Sequence, residues 1–178
     1  MDNVLLSASY DDGVTWSTPI QVNDNQAPVD EFQPNLAVAA NGTVSVNFYD
    51  RRLACPGAGS AEAVAAGLAL DTANPKSPGT VPYGATNYCV DASVQFYGPT
   101  LRPIGNNIRL TQHSWDPQLN ALHPGSAGGQ RTFIGDYFGN TFGGTINYAT
   151  FVSTFDDGSN PSHQQQQVVS AVSVPRQH

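Results

Sequence analysis

The stretch SYDDGVTW, residues 9–16, places two aspartates, a glycine and a tryptophan within eight positions of a chain that carries few charges. The segment NVLLSASY leads into it and the segment STPIQV follows it. Asp11, Asp12 and Gly13 are turn-forming residue types, so the stretch predicts a β-hairpin with its turn at these three residues. A calcium loop would need further oxygen ligands at alternate positions, and these are absent.

The composition favours an all-β protein with a single domain at residues 1–178. The chain has 178 residues, 17 glycines and 13 prolines, and Lys76 is its one lysine. Good helix formers are therefore scarce and turn-forming residues are frequent. The length is sufficient for one domain with a hydrophobic core.

Charge and hydropathy argue against two classes of partner, nucleic acids and membranes. The net charge of -7 leaves no basic face for phosphate groups. No segment approaches the ~20 apolar residues that span a bilayer. The first dozen residues lack the basic start and long apolar run of a signal peptide, so we expect any export signal to lie upstream of them. The histidines lack zinc-type spacing, and we expect neither a metal nor a cofactor.

A second hairpin is predicted within residues 34–50. Val44, Val46 and Phe48 alternate there with polar residues, as in a strand with two different faces. Asn41 and Gly42 precede this strand, and both tolerate the positive φ of a tight turn.

The rest of the chain predicts further hairpins around one long insertion. Residues 53–83 are rich in Gly, Pro and Ala and predict a surface insertion, with a helical turn or two in Ala61–Ala69. Strand character returns in residues 86–98 and 106–112. Residues 131–154 repeat the second hairpin at a displacement of 102 positions, with Ile146 on Val44 and Tyr148 on Val46, and residues 164–174 predict a last strand. About nine strands in this order suit a propeller or, by length, a nine-stranded sandwich.

The opening stretch resembles the Asp-box motif S-x-D-x-G-x-T-W of sialidase-like (BNR-repeat) β-propeller proteins. Its five defined positions are occupied by Ser9, Asp11, Gly13, Thr15 and Trp16. In that family the Asp-box forms a structural turn between the third and fourth strands of a blade, on the rim away from the substrate pocket. The resemblance implies that Asp11 accepts backbone N–H groups inside the turn and that Trp16 buries its ring against the neighbouring sheet.

Two further segments resemble the same family. Residues 33–52 look like the first two strands of the following blade, and residues 133–140 (FIGDYFGN) resemble a segment common in its bacterial members. The family's propellers have six four-stranded blades, and this chain has strands for about two. The resemblance therefore implies the C-terminal portion of a partial six-bladed propeller. The missing blades would come from a longer polypeptide or from further copies of the chain.

The family's retaining glycosidases use a tyrosine nucleophile and a glutamate base. Tyr137 matches the place of the nucleophile. Glu31 is the acid nearest to the place of the base, although Gln33 fits the spacing slightly better. An alternative for Tyr137 is packing between blades, and an alternative for Glu31 is a solvated loop acid.

Arginines bind the sugar carboxylate in this family, because a planar guanidinium offers paired donors. The substrate-binding positions fall on Arg51, Arg52 and Arg131. A salt bridge to Asp50 or another acid is the alternative for Arg51 and Arg52. The family's acid aspartate and first arginine come from early blades, for which this chain has no counterpart.

The resemblance implies the C-terminal part of a secreted, glycan-active protein of the exo-sialidase superfamily, not catalytically complete alone. The alternatives are a non-catalytic carbohydrate- or protein-binding module and a self-assembling structural unit, so enzyme activity stays open. A glycan, sialylated in the family, is the expected partner, and the expected location is extracellular or at the cell surface. Cys55 and Cys89 form either a disulfide or two reduced thiols.

Overall fold

A computed structural model describes residues 2–26, 29–57, 59–67, 89–116 and 138–176. These residues form nine strands in three antiparallel sheets and one short helix. Sheet 1 contains β1 (Leu5–Leu6) and β2 (Ile20–Gln21). Sheet 2 contains β3 (Glu31–Val38), β4 (Val44–Asp50), β5 (Asp91–Tyr97) and β6 (Pro103–Arg109). Sheet 3 contains β7 (Gly139–Gly143), β8 (Ile146–Ser153) and β9 (Gln166–Ser173). The prediction of an all-β chain is confirmed, and none of the three sheets closes on itself within these residues.

Sheet 2 has two ends of different character. At its turn end, residues 39–43 and 98–102 connect β3 to β4 and β5 to β6. Gly42 has a φ of 82° there, and a Cβ at this position would lie 3.0 Å from the Cγ atom of Pro99. At its charged end, β3 begins with Glu31, β4 ends with Asp50, β5 begins with Asp91 and β6 ends with Arg109.

Sheet 1 covers one face of sheet 2 through a small hydrophobic cluster. Val44, Val46 and Phe48 of β4 pack there against Val4 and Val22, which flank the two strands of sheet 1. The alternation predicted for β4 is therefore confirmed on this face.

Sheet 3 covers the opposite face of sheet 2. The Tyr49 ring lies 4.9 Å from the Phe138 ring, and its hydroxyl accepts a hydrogen bond of 2.9 Å from the backbone N–H of Val152. Ser45 and Asn47 are buried on this face too, so β4 is covered on both sides.

The predicted repeat matches the starts of β4 and β8 but not their buried faces. Val44 faces sheet 1, whereas the buried residues of β8, Ala149 among them, pack back onto sheet 2. Tyr148, aligned with Val46, is 38% exposed.

The predicted insertion lies at the charged end. It contains α1 (Ala61–Ala65), whose first turn is capped by the Ser60 side chain accepting from the Ala63 N–H at 3.0 Å. Residues 68–83 of the insertion lie outside the described residues.

Cys55 and Cys89 form a disulfide, so of the two alternatives left open by the sequence, a disulfide or two reduced thiols, the structure has the disulfide. None of the helices described here is long and apolar enough to cross a membrane.

Candidate functional site

The turn at residues 9–16 is held together by Asp11. Its Oδ1 atom accepts from the backbone N–H of Thr15 at 2.8 Å and from the Ser9 hydroxyl at 2.8 Å, and its Oδ2 atom accepts from the Thr15 hydroxyl at 2.6 Å. The bonds from Thr15 hold the pKa of Asp11 below its usual value. Asp12 and Gly13 both have positive φ, as a tight hairpin turn requires. The predicted backbone bond to Asp11 is confirmed, and its role in the turn is structural.

The predicted burial of Trp16 is wrong. Its side chain is 66% exposed, and Tyr10 and Val14 in the same turn are also exposed. Sheet 1 offers four strand residues within the described chain, too small a surface to cover an indole ring.

Three buried carboxyl groups form a row across the charged end of sheet 2. Glu31 is the register partner of Asp50 between β3 and β4, and Asp50 is the register partner of Asp91 between β4 and β5. None of the three is more than 2% exposed. Such groups are stable in a protein only when they are paired, hydrogen-bonded or protonated.

Asp91 is paired with Arg109. The Nε and Nη2 atoms of Arg109 lie 2.8 Å and 2.6 Å from its Oδ1 atom. The hydroxyls of Thr111 and Ser114 donate to the same carboxylate at 2.6 Å and 2.8 Å. Asp91 is therefore a fully hydrogen-bonded anion.

Asp50 is paired with Arg52, which also reaches across to sheet 1. The Arg52 Nε atom lies 2.6 Å from Asp50, its Nη1 atom contacts Asp24, and its Nη2 atom donates to Asn107 at 2.6 Å. Burial raises the pKa of Asp24, but the bonds from the Asn107 N–H and from Arg52 outweigh it and lower the pKa overall. Ser93 completes the set, donating to Asp50 at 2.9 Å.

Glu31 has no cationic partner of this kind. Its Oε2 atom accepts from the Asn23 side-chain amide at 3.0 Å, and its Oε1 atom has no hydrogen-bond partner among the described residues. Burial, reinforced by the nearby negative charge of Asp50, raises the pKa of Glu31 to about 7. The alternative of a solvated loop acid is wrong, because Glu31 is the buried first residue of β3.

The remaining predicted site residues divide into two groups. Arg51 and Arg52 lie at the charged end, and both form ion pairs, Arg51 with Asp30 at 3.3 Å. Tyr137 and Arg131 lie outside the described residues. The structure therefore brings Glu31 and the two adjacent arginines to one end of one sheet.

Sequence reasoning missed Asp91, Arg109 and Asn107. A signal was present, because Asp50 ends one fully buried strand and Asp91 begins the next in a chain with 12% charged residues. A carboxylate at such a position has to be paired, so it points to a polar cluster.

A cleft of about 130 Å³ is lined by both aspartate–arginine pairs, Asp50 with Arg52 and Asp91 with Arg109. Within the described ranges, no three His, Cys, Asp or Glu side chains are placed to hold a metal ion. The cleft instead offers carboxylate acceptors beside guanidinium donors, an arrangement suited to ligands that both donate and accept hydrogen bonds.

Comparisons of the chain with protein-family models, with curated proteins and with solved structures found no match.

Proposed function

We propose that this chain forms part of a sialidase-like β-propeller and that the charged end of sheet 2 recognises a glycan. One observation carries the proposal. The aspartates that end β4 and begin β5 are paired with Arg52, just after β4, and with Arg109, at the end of β6. These pairs lie at the end of sheet 2 that adjoins Asn23, which follows β2. The turn of the opening stretch lies at the other end of the β1–β2 hairpin.

Two features support the propeller assignment. Sheet 2 is a four-stranded antiparallel sheet in chain order and has a sheet stacked on each face, as a propeller blade has. The turn at residues 9–16 makes the hydrogen bonds that the resemblance implies. Further blades, from a longer polypeptide or from other copies of the chain, would complete the ring.

The fixed geometry of the charged end supports glycan recognition. Arg52 and Arg109 are each held by several acceptors, so little side-chain entropy is lost when a ligand binds to them. Sugars present many hydroxyls at set angles, and recognition of such groups favours a preorganised polar surface.

The disulfide supports an extracellular or cell-surface location. Cys55 and Cys89 are bonded, and structural disulfides persist in oxidising compartments and are rare in the cytosol.

Glycoside hydrolysis is a second candidate, which the pKa of Glu31 favours. A carboxyl group with a pKa of about 7 can both accept and donate a proton at neutral pH, as a general acid–base group must. The nucleophile would be Tyr137.

Turnover of an aryl sialoside tests this second candidate. We expect Tyr137→Phe to abolish turnover and Tyr148→Phe, the control, to retain it. Turnover by Tyr137→Phe would refute the assignment of Tyr137 as the nucleophile.

A glycan array carrying neutral and sialylated oligosaccharides tests the main proposal. Labelled wild-type chain is compared with Arg51→Gln at the charged end and with Arg102→Gln at the turn end. We expect wild type and Arg102→Gln to bind the same glycans and Arg51→Gln to bind them more weakly. Absence of binding to every glycan, or equal binding by all three chains, would contradict the proposal.

A further inference from the structure

The cleft at the charged end is shaped by Arg52 together with groups that the resemblance does not include. Its lining includes Asp50, Arg52, Asp91, Ser93, Asn107 and Arg109. Its volume is about 130 Å³, so two neighbouring hydroxyls of a sugar can enter it.

The two guanidinium groups beside this cleft have N–H donors that the described residues do not use. Arg109 uses its Nε and Nη2 atoms on Asp91, Thr111 and Ser114, and its Nη1 atom has no partner among the described residues. Arg52 uses one N–H of each Nη atom on Asp24 and Asn107. Donors therefore remain for a ligand that accepts hydrogen bonds.

The charge around the cleft disfavours an anionic ligand. Asp24, Asp50 and Asp91 contact the two guanidinium groups of Arg52 and Arg109, so the carboxylates outnumber the cations by one. A ligand carboxylate can only accept hydrogen bonds, and it would be repelled by this excess negative charge. A hydroxyl can accept from a guanidinium and donate to an aspartate oxygen.

We propose that this cleft binds the vicinal diol of a neutral sugar and does not bind a sugar carboxylate. This inference rests on the proposed glycan recognition and names its ligand class. It reverses the expectation that Arg52 holds the carboxylate of an acidic sugar, since the charge of Arg52 is already offset by Asp24 and Asp50.

Nuclear magnetic resonance of the ¹⁵N-labelled chain tests the inference. The signals to follow are the Arg109 Nε–H and the Asn107 side-chain amide. The probes are methyl α-mannopyranoside, which carries neutral vicinal diols, and sodium acetate, which carries only a carboxylate. We expect saturable shifts of both signals with the glycoside and none with acetate over the same concentration range.

Arg109→Lys keeps the positive charge beside Asp91 but removes the Nη1 donors, and we expect it to bind the glycoside about tenfold more weakly or worse. Arg102→Lys, in the turn immediately before β6, should bind like wild type. Saturation by acetate, or wild-type affinity in Arg109→Lys, would overturn the inference.

Other results separate this inference from the proposed function. If the glycoside shifts only other charged-end signals, such as the side-chain amides of Asn23 and Asn25, the cleft assignment fails and glycan recognition stands. If no glycan of the array and no glycoside binds the chain, both proposals fail.

Discussion

Glu31 and Asp50 lie opposite each other in the register of β3 and β4, and both carboxyl groups are buried. Only Asp50 is paired with a guanidinium, that of Arg52, whereas Glu31 relies on the Asn23 amide. Burial and the nearby negative charge of Asp50 raise the pKa of Glu31 to about 7, so Glu31 exchanges a proton near neutral pH.

The raised pKa of Glu31 gives the stability of the chain a pH dependence of defined sign. Between the ordinary value of 4.5 and about 7, the folded chain holds a proton that the unfolded chain has released. The free energy of unfolding therefore falls as the pH rises through this window, by an amount on the order of 3 kcal/mol, and stays low above it. We expect Glu31→Gln to remove this fall.

Urea unfolding at pH 5 and pH 8 checks this expectation. Glu31→Gln should exceed wild type in stability at pH 8 and match it near pH 5. Asp12→Asn, at an exposed carboxyl in the opening turn, is the control and should follow wild type at both values. An identical pH dependence in wild type and Glu31→Gln would show that Glu31 titrates normally.

Asp11 is expected to stabilise its turn through acceptors that the neighbouring Asp12 does not supply. Asp11→Asn replaces one acceptor oxygen with a donor beside Thr15, so its melting temperature should fall below that of Asp12→Asn. The pKa of Asp11 is lowered in the folded chain, so its contribution is present above 3.8 and is lost as the pH falls below that value. Thermal melts at pH 7 and pH 3 measure both effects, and equal melting temperatures of the two variants at pH 7 would contradict this role.

The disulfide between Cys55 and Cys89 joins positions 34 residues apart. Closing a loop of this length reduces the conformational entropy of the unfolded chain, with an expected stabilisation of about 3–4 kcal/mol. The double variant Cys55→Ser/Cys89→Ser should lose about that much in urea unfolding. Thiol titration of denatured wild type should find no free cysteine, and two free thiols would contradict the bond.

The hydroxyl of Tyr49 links sheet 2 to sheet 3 by accepting from the Val152 N–H. Tyr49→Phe leaves this partly buried donor without its partner and should reduce the free energy of unfolding by about 1–3 kcal/mol. Tyr148→Phe, at a ring that is 38% exposed, should change it by less than about 0.5 kcal/mol. Equal effects of the two substitutions in urea unfolding would show that the Tyr49 bond contributes nothing.

Local sequence pattern predicted the elements well. The alternation of Val44, Val46 and Phe48 predicted β4, and the glycine of Asn41-Gly42 adopts the positive φ of its turn. These features depend on neighbours in the chain, which the sequence displays directly.

Burial and pairing were harder to predict, because they depend on contacts between sheets. The same alternation could not show that Ser45 is covered by sheet 3, nor that Trp16 is left exposed at the edge of a two-stranded sheet. From its neighbours in the chain alone, Glu31 is predicted to be an acid in a loop. Its burial comes from contacts with Asn23, 8 residues before it, and with Asp50 on the neighbouring strand.

If the charged end of sheet 2 recognises glycans, a substitution at that end should weaken their binding. The most direct measurement is the dissociation constant of the strongest array glycan for wild type, Arg51→Gln and Arg102→Gln, by isothermal titration calorimetry. Arg51 forms a partly exposed ion pair with Asp30, and we expect its replacement to leave the fold intact. We expect weaker binding in Arg51→Gln alone. Equal affinities in all three chains, or a loss confined to Arg102→Gln, would contradict the claim.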